Sequence, residues 1–301
     1  MTSVDYQVAI CTYARQETIK KATLATLERA GVDRDRITIF VPSAEQRYDY
    51  EDVLGQNTYR MVVTNPGLFK CRQLAHKYYV GKGMEGTPLI HMDDDIWGFL
   101  KVIDDETQSC GKAAVPYEGT LDHIANVGFG LAKSVGTGLW GLTYMSNPFY
   151  MNHTVSVGNT LVNGGFQGVY AGDDIFIGPR RTYCESAEED GETSLQAFVK
   201  YGKVIKFSYM SIDVNNPNGG RVDPGGIRKE IQDSGYAETS KDAKKARQLA
   251  NEAAFSLMVE RYPGLVKTYR ATNGKLRLHY KNMGNITIPS HLVEAEFGAK
   301  G

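Results

Sequence analysis

The chain has 301 residues, 42% apolar and 23% charged, with 32 Gly, 10 Pro and a formal net charge of −1. That composition suits one large folded domain or two modest ones and excludes fibrous, disordered and small stapled classes. Four widely spaced cysteines, Cys11, Cys71, Cys110 and Cys184, form no C-x-x-C pair, which argues against a zinc knuckle or disulfide framework and for a reducing, cytoplasmic setting. No apolar run approaches the roughly 18 residues of a membrane span, and residues 1–6 lack a basic leader pattern, so neither membrane spanning nor secretion is expected.

The first 92 residues alternate strand-length apolar runs with helical patterns, the signature of βαβ units around a mostly parallel sheet. Strands are expected at 8–11, 37–41, 59–63 and 88–92, with helices at 16–30, ended by Gly31, and at 68–80 after Pro66 and Gly67. Beyond them come a helix at 121–135, strands at 139–144 and 154–162, and a glycine-rich stretch (Gly164, Gly165, Gly168) that reads as flexible. After residues 196–199, a strand at 204–210, a turn-rich mobile loop at 215–226, a helix at 241–262 and a strand at 276–280 complete the pattern. The expected architecture is α/β, a single core over 1–214 with a C-terminal extension over 215–301 that packs on it.

Chemistry concentrates where strands end. The run Leu89-Ile90-His91-Met92-Asp93-Asp94-Asp95 is an apolar strand ending in three carboxylates. Their repulsion is relieved most readily by a divalent cation, and Asp93 and Asp95 at i, i+2 suit one Mg²⁺ or Mn²⁺, whereas a solvated acidic turn is the blander alternative. His91 should point away from that site, because side chains alternate along a strand. A second pair, Asp173 and Asp174, lies between Gly172 and Gly178. It suits either a general base for an attacking hydroxyl or a helix cap. Thr12, Tyr13 and Arg15 follow the first strand and can meet a nucleobase and phosphate; Lys70 and Arg72 precede the acidic strand; His279 is the candidate third metal ligand. Charge is uneven: residues 221–285 carry 13 Lys and Arg against seven acids, a candidate phosphate-binding face that includes Lys244, Lys245 and Arg247.

The order C-T-Y-A-R, K-C-R-Q-L-A-H, L-I-H-M-D-D-D and G-D-D over about residues 5–180 resembles nucleotide-sugar glycosyltransferases of the GT-A fold. The resemblance implies that Asp93 and Asp95 hold Mn²⁺ or Mg²⁺ on the donor diphosphate, with Asp94 between them. It further implies that Thr12, Tyr13, Arg15, Lys70 and Arg72 bind the donor, a UDP-sugar, that Asp173 or Asp174 serves as base, and that His279 joins the metal. The layout and the segment F-V-P-S-A-E-Q-R-Y are most similar to the phage and microbial glycosyltransferases associated with TET/JBP-type dioxygenases. That implies 5-hydroxymethylated pyrimidine in DNA as acceptor, with Trp97 or Tyr170 stacking on an extruded base. Two other classes remain open from the residues: a nucleotidyltransferase or polymerase using both acidic pairs, and a non-enzymatic carbohydrate- or nucleic-acid-binding module.

Overall fold

The computed structural model describes residues 4–65, 67–177, 189–215, 240–272 and 274–298, so Cys184 and the expected loop 215–226, apart from Asn215, lie outside the described residues. The chain begins with β1 (Gln7–Cys11) and a helix α1 over 16–29, in which α-helical Gln16–Ile19 and Ala25–Arg29 flank a π turn, Lys20–Leu24. Next come β2 (Ile37–Val41), α2 (Ala44–Leu54), β3 (Arg60–Val63), α3 (Leu68–Gly81) and β4 (Pro88–Met92). These four strands pair in parallel in the order β3-β2-β1-β4. Strand β2 is buried throughout and β4 nearly so, which explains runs such as Ile37-Thr38-Ile39-Phe40-Val41 that show no polar alternation.

Past β4 the sheet becomes mixed. A hairpin of β5 (Gly98–Asp104) and β6 (Lys112–Pro116) precedes α4 (Leu121–Val135), β7 (Trp140–Thr143), β8 (Thr154–Gly158) and β9 (Phe166–Tyr170). Helix α5 (Glu189–Tyr201), β10 (Val204–Asp213), α6 (Ser240–Arg261), β11 (Val266–Arg270), β12 (Leu276–Tyr280), β13 (Ile286–Pro289) and α7 (Ser290–Phe297) follow. Along the main sheet the order is β13-β8-β10-β7-β9-β4-β1-β2-β3, with β5 also on β10, while β11 and β12 make a separate ribbon. The expected α/β class is observed, with the parallel part confined to the N-terminal half and the β7–β10 pair.

The glycine-rich stretch is not a flexible linker. Residues 166–170 form β9, antiparallel between β4 and β7, and its glycine makes room for a neighbour. A Cβ at Gly168 would sit 2.0 Å from Cε2 of Trp140, and one at Gly128 of α4 would sit 2.4 Å from the same indole. Trp140 is thus fully buried between two positions that tolerate no side chain. Helix α2 escaped the sequence reading because Tyr50 is its only fully buried residue, which leaves no apolar stripe to detect; its start is fixed by Ser43, whose side chain accepts from the Gln46 N–H. The hairpin β5–β6, β13 and α7 were likewise not expected. No helix among the described residues is long and apolar enough to cross a membrane.

Candidate active site

Right-handed crossovers bring the carboxyl ends of β1, β2 and β4 to one edge of the sheet, where open α/β proteins bind ligands. The acidic turn after β4 sits there, held from three sides. The Thr23 hydroxyl, on the π turn of α1, donates to the Asp93 carbonyl (2.8 Å) and accepts from the Ile96 N–H (3.0 Å). Thr26 donates to the Ile96 carbonyl (3.0 Å), and the Asp93 N–H donates to Gly165 O (3.0 Å).

Each aspartate then has a different environment. Asp94 turns inward, accepting from the Thr12 hydroxyl (2.6 Å) and Arg15 (2.7 Å), so its expected contact with a donor is not what the structure displays. Arg15 also reaches Asp95 Oδ2 at 2.9 Å. The other oxygen, Asp95 Oδ1, is buried with no hydrogen-bond partner among the described residues. Asp93 Oδ1 accepts from Arg72 at 3.2 Å. Burial, reinforced by the charges of Asp95 and Asp94, pushes the Asp93 carboxyl up to about 7 against the opposing pull of Arg72. An orphaned carboxylate oxygen beside a carboxylate disfavoured as an anion is what a divalent cation relieves, so Asp93 and Asp95 fit a metal. No group of three or more His, Cys, Asp or Glu side chains arranged for a metal exists among the described residues.

Thr12 and Arg15 meet this turn through Asp94 and Asp95, with Tyr13 between them in sequence on the same loop. Their loop is braced by α2, through residues the sequence reading did not single out. Tyr50 meets Thr12 Oγ1 at 2.6 Å and accepts from the Arg15 N–H at 2.9 Å, and Gln46 accepts from the N–H of Ala14, whose φ is 48°. Arg72, 2% exposed, donates to Asp93, to the Gly164 carbonyl (2.6 Å) and to Glu189. Lys70 is exposed on the first turns of the same helix. Glu189 and Asp190, which open α5, are the main candidate site residues missed. Asp190 accepts from the N–H groups of Gly191 (2.8 Å) and Gly164 (3.4 Å), and burial together with the charge of Glu189 raises its pKa. Their signal was an E-D pair at a helix start with no visible link to Asp93; only folding supplies Arg72 as that link. Gly164 is required here, since a Cβ would lie 2.6 Å from Arg72 Nη1 and 2.8 Å from Glu189 Oε1.

The structure departs from three expected assignments: the Asp173–Asp174 pair, Tyr170 and His279. Asp173 and Asp174 follow β9, which runs antiparallel to β4 with Met92 opposite Phe166 and Pro88 opposite Tyr170. They therefore emerge at the other edge of the sheet, beyond the roughly 13 Å of paired strand that runs from Met92 to Pro88. There Asp173 accepts from Tyr201, Lys200 (3.0 Å) and the Ile175 N–H (3.1 Å), and Asp174 pairs with Lys200. That is the helix-cap alternative, and it removes the shared-metal geometry a polymerase-like reading needs. Tyr170 leaves at the same wrong edge, its ring 5.6 Å from Phe129. His279 is exposed on the β11–β12 ribbon, edge-on to Tyr269 at 6.4 Å, and is not gathered with the aspartates. Trp97 is half-buried, its backbone tied to Asp213 and Arg29. His91 does turn from the acidic cluster, meeting His76 at 3.1 Å, and burial holds both rings well below the usual histidine range. Lys245 is exposed on α6, while the side chains of Lys244 and Arg247 lie outside the described residues.

No family model matches the chain, and no curated protein sequence matches it. Among solved structures it is similar to residues 1–349 of S. aureus TarS in complex with UDP-GlcNAc, at 14% identity and a TM-score of 0.45 over 84% of this chain and 73% of that one. It is also similar to glucosyl-3-phosphoglycerate synthase from Mycobacterium tuberculosis in complex with Mn²⁺ and UDP-glucose, at 10% identity and a TM-score of 0.47 over 96% of this chain and 91% of that one.

Proposed function

We propose that the chain is a metal-dependent hexosyltransferase of the GT-A class, moving a sugar from a UDP-sugar to an acceptor hydroxyl, with 5-hydroxymethylated pyrimidine in DNA as the acceptor. The carrying observation is the pair Asp93 and Asp95 at the carboxyl end of a central strand, with Asp95 Oδ1 buried and unpaired among the described residues. These two carboxylates would hold Mn²⁺ or Mg²⁺, the donor diphosphate completing the shell. Bound there, the ion supplies charge stabilisation for the departing nucleoside diphosphate. Thr12, Tyr13 and Arg15 receive the nucleoside side of the donor, and Arg15 is free to pair with phosphate once a cation takes over its role beside Asp95. Arg72 keeps Asp93 and Glu189 at fixed separation. Asp190, a buried carboxylate at the start of α5 whose pKa is raised by burial and by the charge of Glu189, takes the acceptor's proton as its oxygen attacks the anomeric carbon and the nucleoside diphosphate departs.

Two features support a nucleic-acid acceptor. Phe149 and Tyr150 are 64% and 56% exposed, edge-to-face at 5.2 Å, on the loop that leaves β7 at the active edge, and can take the stacking role first given to Trp97 and Tyr170. Lys267, Arg270, Lys275 and Arg277 are exposed on the β11–β12 ribbon, a cationic face suited to phosphates. The test incubates the protein with Mn²⁺, a panel of UDP-sugars and oligonucleotides containing cytosine or 5-hydroxymethylcytosine, and reads product mass. Addition of one hexose to the hydroxymethylated strand, abolished by a chelator, is expected. Transfer only to saccharide, lipid or protein overturns the acceptor; no transfer or hydrolysis with any donor overturns the activity.

A further inference from the structure

The C-terminal elements touch the core at an informative place. Helix α6 and the ribbon build a small apolar cluster of Ala254, Met258, Tyr262 and Val266 around Leu195 of α5, with Leu278 and Tyr280 packed against it. The Tyr280 hydroxyl donates to the carbonyl of Gly191 at 3.1 Å. Gly191 directly follows Asp190, and its missing side chain permits the approach: a Cβ there would lie 3.0 Å from Tyr280 Oη and 3.5 Å from Met258 Cε. The base of the ribbon is stapled independently to the loop that leads to Gly164. The Asn159 side chain donates to the carbonyls of Leu265 (2.8 Å) and Lys281 (3.0 Å), and Asn285 accepts from the Asn159 N–H (2.9 Å) and donates to its carbonyl (3.1 Å). Asp190 receives its hydrogen bonds from Gly164 and Gly191, so the two peptide groups that fix its carboxylate belong to the two segments this unit grips.

We propose that helix α6 and the β11–β12 ribbon form a clamp that sets the position of the Glu189–Asp190 turn relative to Asp93, with Tyr280 as its positioning residue. The role given to Asp190 rests on the glycosyltransferase reading; the clamp itself is a mechanical claim about α5. Without the Tyr280 contact, the first turn of α5 keeps its helical bonds, the Arg72–Glu189 pair and the Ser194–Val162 hydrogen bonds, but loses the tie at Gly191 that fixes the peptide next to Asp190. Asp190 then samples positions away from the acceptor hydroxyl, and misplacement of a reacting group by about 1 Å is enough to slow a step strongly.

Tyr280→Phe tests this, because it keeps the ring in the apolar cluster and deletes only the hydroxyl. In the full chain, kcat is expected to fall about tenfold, equivalent to ~1.4 kcal/mol of transition-state stabilisation, with KM for the UDP-sugar unchanged and the acid limb of the pH profile moved toward lower pH as Asp190 gains solvent. Amide hydrogen exchange, which needs no activity, should accelerate severalfold at Gly191–Leu195 and stay unchanged in β1–β4. Asn159→Ala should accelerate exchange in the 160–165 loop as well as in α5. Native exchange in both variants overturns the clamp whether or not the wild type transfers sugar. A uniform rise across the chain overturns it too, since it would mean general destabilisation. Loss of all transfer by the wild type, with the local exchange changes present, overturns the glycosyltransferase reading and leaves the clamp standing.

Discussion

Two acidic runs that look alike in the sequence, Asp93-Asp94-Asp95 and Asp173-Asp174, end up in opposite physical states. Both follow buried strands and both adjoin glycines in space or sequence. The first lies at the carboxyl edge of the parallel half, where two arginines serve three aspartates and one carboxylate oxygen is buried with no partner among the described residues. The second lies at the other edge, where Lys200, Tyr201 and a helix N-terminus satisfy the carboxylates. Strand direction decides between them: β9 runs antiparallel to β4, so the same motif placed after it faces away from the ligand-binding edge. A buried carboxylate oxygen with unmet valence marks a candidate site; carboxylates engaged by Lys200, Tyr201 and a helix N-terminus act as a structural cap.

The sharpest way to break this contrast is mutation of both runs under one assay. Asp93→Asn and Asp95→Asn are expected to weaken Mn²⁺-dependent UDP-sugar binding at least about 100-fold, as the ion loses one of its two protein carboxylates. Asp174→Asn should leave that affinity unchanged, as read by calorimetry with and without Mn²⁺. Equal losses at both sites would erase the distinction drawn from strand direction.

A smaller effect tests the structural side. Asp173→Ala removes a helix cap and the partner of Tyr201 and Lys200, and is expected to lower stability by about 2 kcal/mol while turnover per folded molecule is retained. Urea unfolding beside steady-state rates checks it. A loss of turnover with unchanged stability would restore the base role first expected for this residue.

The smallest effect is the pH signature, which should differ in sign between the two runs. Asp93 has a folded-state pKa raised by burial to about 7. The metal-free fold therefore binds a proton more tightly than the unfolded chain, and this group makes stability fall as pH rises from about 4 toward 7. Asp174 has its pKa lowered by the Lys200 hydrogen bond. Its contribution is present above about 4 and is lost as pH falls through the depressed folded value. Thermal melts of Asp93→Asn and Asp174→Asn across pH 3 to about 8 should thus lose opposite slopes relative to the wild type. Mn²⁺ affinity should rise with pH up to about 7, because Asp93 must shed its proton to ligate. Parallel slopes in the two variants would contradict the assigned environments.

The chain's own pattern determined the four strands and two of the three helices through residue 92, the helix at Leu121–Val135 and the acidic turn after β4, because each is written in local periodicity or in adjacent residues. Helix α2 was illegible for the converse reason: with Tyr50 as its one fully buried residue it has no stripe. Strand β9 was hidden because the glycine that lets Trp140 pack against it also reads as flexibility. Tertiary structure alone decided which carboxylates share a site. The direction of β9 sent Asp173 and Asp174 to the far edge, and a buried Arg72 joined Asp93 to Glu189 across 96 positions of sequence. Pairings of that kind depend on strand order and on desolvated charge, and neither property belongs to any short stretch of the chain.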